Sequence, residues 1–344
     1  MTWIKDKVLA IINGDHLLDE REFEHLCLHI AQMQGIVQEI DALSGVAGLG
    51  AIDPVPETAF KLMTVAHFPP SEAQAIFYTS GTTTGSSGRR FVQDLAIYRQ
   101  SVNQGFKLFV MEDLVKARFI SLIPDAMSKP TSSLSHMASM VTDEFSSQVN
   151  WVRKGATIDS DLLKTALDQV CDSKEPVVIL GTTLDFLTAF EWMKTQGFHW
   201  KLPKGSRAMH TGGSKALGRS ISKNELWAGF EINLGIPANL AIEEYGMTEL
   251  LSQAYDAPAV TPGPRRFVSV PWMKTLVLDP LTMLPVGDGQ RGVLCHYDLA
   301  NFDAAVAVLT QDVATAVENG FADIVRVVGA PSRGCSHEAA TEAD

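Results

Sequence analysis

Residues 75–90 hold the densest chemical signal in the chain. Ala75-Ile76-Phe77-Tyr78 is apolar, Thr79-Ser80-Gly81-Thr82-Thr83-Thr84-Gly85-Ser86-Ser87-Gly88 contains only hydroxyls and glycine, and Arg89-Arg90 closes it. Glycines let such a loop curl until several backbone N–H groups converge, and that concavity favours an anion. Hydroxyls add donors with little bulk, and arginine adds a forked cation suited to phosphate. A polar surface loop has a similar composition, so the run alone does not decide. It is not a Walker loop, which needs Gly-Lys-Ser/Thr five positions after its first glycine, nor a Gly-x-Gly-x-x-Gly dinucleotide fingerprint.

Two later stretches complete a nucleotide site. Met209-His210-Thr211-Gly212-Gly213-Ser214-Lys215 offers a glycine pair along whose backbone a flat ring can lie, and a lysine. Tyr245-Gly246-Met247-Thr248-Glu249 offers an aromatic face, a hydroxyl for an α-phosphate oxygen and a carboxylate for Mg²⁺. In this order the three stretches describe an ATP site whose α-phosphorus is attacked. Near the C-terminus, Arg333-Gly334-Cys335-Ser336-His337 puts a thiol beside a cation that lowers its pKa and an imidazole that takes its proton. Gly212-Gly213-Ser214-Lys215-Ala216 approaches the serine-hydrolase nucleophile elbow, but Ala216 stands where that motif needs glycine. His136 opens a helix behind a serine cap and is more often structural than ligating in such a place.

These loops need strands to carry them. Apolar runs at Ala75–Tyr78, Arg118–Ile123, Val177–Leu180, Ser206–His210 and Asn239–Glu243 read as strands. Helical periodicity comes after the first of them through Phe91, Leu95, Tyr98, Val102 and Phe106, and recurs at 161–170, 187–193 and 218–230. Strands alternating with helices predict an α/β core, with the loops 79–90, 181–183, 210–215 and 244–249 at carboxyl ends of strands. Residues 17–40 carry an apolar helical stripe from Phe23 to Ile40, and Pro54, Pro56, Pro69 and Pro70 break the next segment into a connector. From Pro262 the segments 275–279, 292–297, 306–311 and 324–328 are short and β-rich, separated by turn residues, and predict an antiparallel lobe. The domain expectation is a helical arm over 1–50, a nucleotide- and acyl-binding core over 51–261, a β-rich lobe over 262–335 and a tail over 336–344.

Composition removes other classes. The chain has 344 residues, 46% hydrophobic and 20% charged, with a net charge of −12 and no basic cluster, so a nucleic-acid partner is not expected. Cys27, Cys171, Cys295 and Cys335 form no Cys-x-x-Cys pair, which argues against zinc and redox centres. The apolar run 8–12 is too short for a signal peptide, and no stretch is long enough to span a bilayer. A cytoplasmic protein with reduced thiols is expected.

From Phe77 to Ser336 the chain resembles the acyl-protein synthetases, which include the synthetase subunit of the fatty acid reductase of bacterial bioluminescence. These lie in the adenylate-forming superfamily, alongside the phenylacetate–CoA ligases. The resemblance rests on Thr79–Gly85, Asp94-Leu95 with Tyr98, Ser132–Met137, Gly212-Gly213 with Lys215, Tyr245–Glu249 with Ser252-Gln253, His296–Asn301, Thr310 with Asp312, and Arg333–Ser336. It implies the N-terminal-type core of that superfamily, with mixed and parallel sheets flanked by helices, a β-rich lobe and no full lid domain. It implies that a carboxylic acid, of the fatty class, is activated with ATP and Mg²⁺ and then passed to a thiol, that of a protein acceptor such as a reductase or acyltransferase subunit. Acyl-CoA ligase and non-catalytic nucleotide- or acyl-binding subunit are the alternatives. By matched position, Thr79, Ser80, Gly81, Thr82, Thr83, Thr84, Gly85 and Arg89 would hold the departing phosphates. Gly212, Gly213 and Ser214 would lie along adenine, with Tyr245, Gly246 and Met247 on its other side. Thr248 would touch the α-phosphate, Glu249 the magnesium and Asp312 the ribose; Arg326 matches an arginine near the hinge. Lys215, Arg89, Arg90 or another subunit would replace the lid lysine, or the adenylation step is weak. Cys335, with His337, would carry the acyl group.

Overall fold

Several helices in this chain start where a polar side chain accepts from their first N–H groups. Thr182 and Asp185 form a reciprocal capping box at one helix start, and Ser222 and Glu225 form another. Both helices stop at a glycine in the left-handed region, Gly197 at φ 69° and Gly235 at φ 67°, where a side chain would be strained. The computed structural model describes residues 2–37, 48–79, 87–212 and 222–327.

The helices are α1 (Thr2–Asn13), α2 (Glu20–Gln34), α3 (Ala59–Leu62), α4 (Leu95–Phe109), α5 (Ser133–Phe145), α6 (Ser160–Ser173), α7 (Thr183–Gln196) and α8 (Lys223–Leu234). The strands are β1 (Val55–Pro56), β2 (Ala75–Tyr78), β3 (Arg89–Val92), β4 (Ala117–Ser121), β5 (Ser146–Trp151), β6 (Arg153–Lys154), β7 (Thr157–Ile158) and β8 (Val177–Thr182). They continue with β9 (Arg207–Thr211), β10 (Ala241–Tyr245), β11 (Ala254–Asp256), β12 (Val268–Ser269), β13 (Met273–Leu278), β14 (Arg291–Asp298), β15 (Ala307–Val317) and β16 (Gly320–Arg326).

Two compact units divide the chain, and they cut it differently from the sequence-based segments. One comprises Met1–Gly105, Gly246–Ala254 and the segment that follows from Arg266; the other comprises Phe106–Tyr245 and Tyr255–Arg265. The expected core and lobe therefore interleave, because the chain returns to the first unit at Gly246.

In the first unit β1, β15, β14 and β13 lie side by side, and β16 also pairs with β15. The expected antiparallel lobe is present: β13 to β16 pair antiparallel, while β1 adds a parallel edge at Val55↔Val308. Burial alternates along β15 because successive side chains face opposite sides. Gly292 sits where an added Cβ would lie 2.2 Å from the Leu278 carbonyl oxygen, so β13 and β14 need glycine there to close up. A separate hairpin pairs β2 with β3, from Ala75↔Val92 to Tyr78↔Arg89.

That hairpin corrects one expectation. The Ser/Thr/Gly run does not pass from a strand directly into a helix; it lies between two antiparallel strands, and α4 begins only at Leu95. The extended conformation of Arg89–Val92 is set by burial, since Arg90, Phe91 and Val92 are all enclosed while Arg89 faces outward. The proline-rich connector also holds more order than expected, in β1 and α3, and helix α1 had no strong sequence signal.

In the second unit β4, β8, β9 and β10 are parallel neighbours; β5 adds to β4, and β11 stands next to β10. Helices α6, α7 and α8 supply Leu163, Leu167, Phe186, Phe190 and Phe230 to a core that also takes Ile120, Ile179 and Ala208 from the strands. The Phe230 ring meets Phe186 and Phe190 edge-on at centroid distances of 4.7 and 5.1 Å, a favoured aromatic arrangement.

Candidate nucleotide and acyl-activation site

In the second unit three parallel strands end level with one another. Thr182 of β8 pairs with Thr211 of β9, and Thr211 pairs with Glu244 of β10. In parallel sheets the carboxyl ends of strands are where ligands gather. Gly212 leaves β9 exposed and with φ 86°, and Tyr245 ends β10 half-buried. Thr183 fastens this edge: its hydroxyl donates to the Gly212 carbonyl at 2.7 Å and lies 3.1 Å from His210 Nδ1.

Sequence reasoning passed over two buried titratable groups here. The His210 ring stacks on Phe230 at 5.8 Å, and burial lowers its pKa to about 4, so the ring is neutral near pH 7. The Glu244 carboxyl is pushed up to about 7, first by burial; a hydrogen bond with Thr211 opposes that rise and nearby Glu243 adds to it. The available signal was a pair of glutamates, Glu243-Glu244, inside an otherwise apolar strand.

Glu244 should make stability depend on pH. Its folded pKa lies above the ordinary value of 4.5, so the native state holds a proton that the unfolded chain has released. The resulting stability is full below the unfolded value and is lost as pH rises through about 7. Urea unfolding of wild type and Glu244→Gln at pH 5 and pH 8 should show the wild type losing about 2.5 kcal/mol more than the variant over that interval. The comparison isolates Glu244, because His210 is present in both proteins and its lowered pKa acts in the opposite direction. Equal pH dependence in the two proteins would rule the assignment out.

In the first unit the segment carrying Gly246, Met247, Thr248 and Glu249 is held from below. Glu249 is buried, and its backbone carbonyl accepts from Asn301 Nδ2 at 3.0 Å. Asp298 accepts from the Leu251 N–H at 3.1 Å, from the Ser252 hydroxyl at 2.7 Å and from the Ala300 N–H at 3.0 Å. Trp272 Nε1 donates to both Ser252 Oγ and Ser101 Oγ. Burial raises the Asp298 pKa to about 6 against these hydrogen bonds. The His296–Asn301 motif thus acts through structure, as a clamp under the Thr248–Glu249 turn.

Asp312 and Arg326, expected separately from sequence, are brought together. They face each other across β15 and β16, with Arg326 Nη1 donating to Asp312 Oδ1 at 3.0 Å. Arg326 Nη2 also donates to Glu57 Oε1 at 2.5 Å. Glu57 is buried beside β1 and had no sequence signal beyond its proline-rich surroundings.

The hairpin mouth is closed by Thr79 and Gly88. Thr79 N–H donates to the Gly88 carbonyl at 2.9 Å, and Gly88 N–H donates to Thr79 Oγ1 at 2.8 Å. Arg89 is exposed, with its guanidinium 5.6 Å from the centre of the Phe91 ring. Arg90 is fully buried and is taken up by Asp303, Asn301 Oδ1 and the Phe91 carbonyl, so it is no substitute for a lid lysine. Ser80–Gly85, Gly213, Ser214, Lys215, Cys335 and His337 lie outside the described residues.

Magnesium fits a one-carboxylate site. Among the described residues no group of three or more His, Cys, Asp or Glu is gathered to cage a metal. Mg²⁺ is commonly held by one or two carboxylates together with water and substrate phosphates, and Glu249 on its clamped turn is chemically suited to that.

A model of the family described as acyl-protein synthetase, LuxE, matches residues 5–338. The chain belongs to this family. Among individual proteins it is similar to a long-chain-fatty-acid–luciferin-component ligase of Aliivibrio fischeri, with 22% identity over 322 residues covering 90% of this chain and 78% of the relative. Its fold is that of the adenylate-forming ligases. A 2-hydroxyisobutyryl-CoA ligase structure in complex with 2-HIB-AMP matches with a TM-score of 0.63 at 12% identity, over 88% of this chain and 64% of the other. ATP-bound MatB from Rhodopseudomonas palustris matches with a TM-score of 0.52 at 17% identity, over 83% of this chain and 52% of the other. The chain spans from about half to under two thirds of the length of these two solved structures. As an acyl-protein synthetase it is an enzyme of the ligase class. No helix among the described residues is long and apolar enough to cross a membrane.

Proposed function

We propose that this acyl-protein synthetase activates a carboxylic acid of the fatty class with ATP and transfers the acyl group to a protein thiol. The family match over residues 5–338 carries this reading, and the A. fischeri relative named as a fatty-acid ligase supports the substrate class. In the first half-reaction a carboxylate oxygen attacks the α-phosphorus, the bond to the β-phosphate oxygen breaks, and acyl-adenylate and pyrophosphate form. In the second a thiolate attacks the acyl carbon, AMP leaves with the bonding pair, and a thioester remains.

Charge placement does most of this work, because negative charge grows on the phosphoryl oxygens. The Thr79–Gly85 run holds the departing phosphates through N–H and hydroxyl donors, with Arg89 near its end. Gly212, Gly213 and Tyr245 bracket adenine, Asp312 takes the ribose hydroxyls, Thr248 donates to the α-phosphate and Lys215 neutralises it. Mg²⁺, when bound at Glu249, neutralises phosphate charge. Arg326, tied to Asp312, keeps the ribose-binding carboxylate in place.

Cys335 is the acceptor thiol, and His337 takes its proton. The other cysteines support this choice. Burial pushes the Cys295 thiol up to about 12 and raises Cys27 well above its ordinary value, so neither forms a ready thiolate. Burial and nearby Asp168 and Asp172 also raise Cys171. From Cys335 the acyl group passes to a partner such as a reductase or acyltransferase subunit.

Carboxylate-dependent pyrophosphate release over a panel of fatty, aromatic and amino-acid-derived acids tests the first half-reaction. Release with none of them, despite ATP binding, leaves only a nucleotide-binding subunit. Acyl mass on Cys335 tests the second. The neighbour named as a CoA ligase favours one alternative acceptor, and CoA-dependent turnover in Cys335→Ser would establish it.

A further inference from the structure

Glu57 joins Arg326 and Asp312 into one cluster within the first unit, and its backbone is fixed before its side chain acts. β1 lies along β15 with Val55 opposite Val308 and Pro56 opposite Leu309, and the Glu57 N–H donates to the Leu309 carbonyl at 2.9 Å. The Glu57 carbonyl accepts from the Phe60 N–H in α3, and the Phe60 side chain is buried. From this anchored backbone the buried carboxylate ends on Arg326 Nη2 at 2.5 Å. A carboxylate enclosed in this way needs a cation beside it.

Arg326 divides its fork. Nη1 donates to Asp312 Oδ1 at 3.0 Å while Nη2 serves Glu57, and Gln311 Oε1 lies 3.3 Å from the same Nη2. Asp312 is buried too. It stands opposite Arg326 in the β15–β16 register, and its N–H donates to Thr310 Oγ1 at 3.0 Å. An arginine with a single carboxylate in reach commonly grips it with two parallel bonds. Here the two prongs go to different carboxylates. Two enclosed carboxylates on one guanidinium also leave the cluster with an excess of negative charge, which favours hydroxyl donors.

We propose that Glu57 is a positioning residue for the nucleotide: it holds the second prong of Arg326 away from the Asp312 carboxylate, which takes the ribose hydroxyls. The inference rests on the assignment of Asp312 to the ribose. Without Glu57, Nη2 turns to Asp312 and competes with the sugar for its oxygens. Titration calorimetry of the full chain with magnesium ATP and, separately, with magnesium 2′,3′-dideoxy-ATP, in the absence of acid, compares wild type, Asp312→Asn, Glu57→Ala and Glu57→Gln. Wild type should prefer ATP by about 10- to 100-fold, the worth of hydroxyl bonds to a charged group, and Asp312→Asn should lose most of that preference. Glu57→Ala should weaken ATP about 10-fold and leave dideoxy-ATP unchanged. Glu57→Gln keeps an oxygen for Nη2 without the charge and should lie between. It carries the test alone if Glu57→Ala does not fold.

Equal weakening of both nucleotides in the Glu57 variants would overturn the proposal, because a glutamate that only supports the fold does not distinguish the two sugars. So would an undiminished preference for ATP in those variants, which would leave the ribose assignment of Asp312 standing. A wild type that binds neither nucleotide or both equally, or an Asp312→Asn variant that keeps the full preference, would remove the ribose assignment and this inference with it.

Discussion

Glu249→Gln is expected to lower carboxylate-dependent pyrophosphate release by about 10²–10³, the loss typical of removing one preorganised electrostatic contact to a transition state. The substitution keeps size and shape and removes only charge. The backbone around it should not move, because Asn301 holds the Glu249 carbonyl and Asp298 holds the neighbouring Leu251 and Ser252. Turnover should therefore fall while thermal unfolding stays near that of the wild type. Raising Mg²⁺ should recover part of the rate if the lost group is a metal ligand, since weaker coordination is offset by mass action. A variant with wild-type rates at low Mg²⁺ would remove Glu249 from the site. A variant that loses rate and folding together would assign the glutamate to the clamp instead.

The sequence displayed loops better than it displayed their supports. Tyr245–Glu249 and Gly212-Gly213 stood out through their order after the Ser/Thr/Gly run, although each stretch alone is ordinary. Most parallel strands were legible from apolar runs such as Val177–Leu180, which is wholly buried. β5 was not, since Ser146–Trp151 mixes polar with apolar residues and takes its conformation from pairing with β4. The hairpin was missed because Phe91, Leu95, Tyr98, Val102 and Phe106 share helical spacing, although Phe91 belongs to β3 and the helix starts at Leu95. Periodicity reports which residues are buried, and a buried strand residue just before an amphipathic helix falls into the same register. Glu57 and Asn301 show a different limit. Their partners lie 269 and 211 positions away in sequence, and only the folded sheet brings them together.

Arg90 makes the same point as an energetic prediction. An arginine at the end of a hydroxyl-rich run reads as a phosphate ligand, yet it is fully enclosed and bonded to Asp303 and Asn301. Arg90→Met should therefore destabilise the fold by about 3–5 kcal/mol, because Asp303 is left as a buried charge without its counterion. Against a total stability of about 5–15 kcal/mol, that is a large part of the margin. Adding Asp303→Asn should recover some of the loss, since the uncompensated charge is gone, and the two changes should be non-additive by about 0.5–3 kcal/mol. Urea unfolding of the single and double variants measures both quantities. A loss below about 1 kcal/mol for Arg90→Met would mean the pair is no structural ion pair, as exposed pairs contribute only that much.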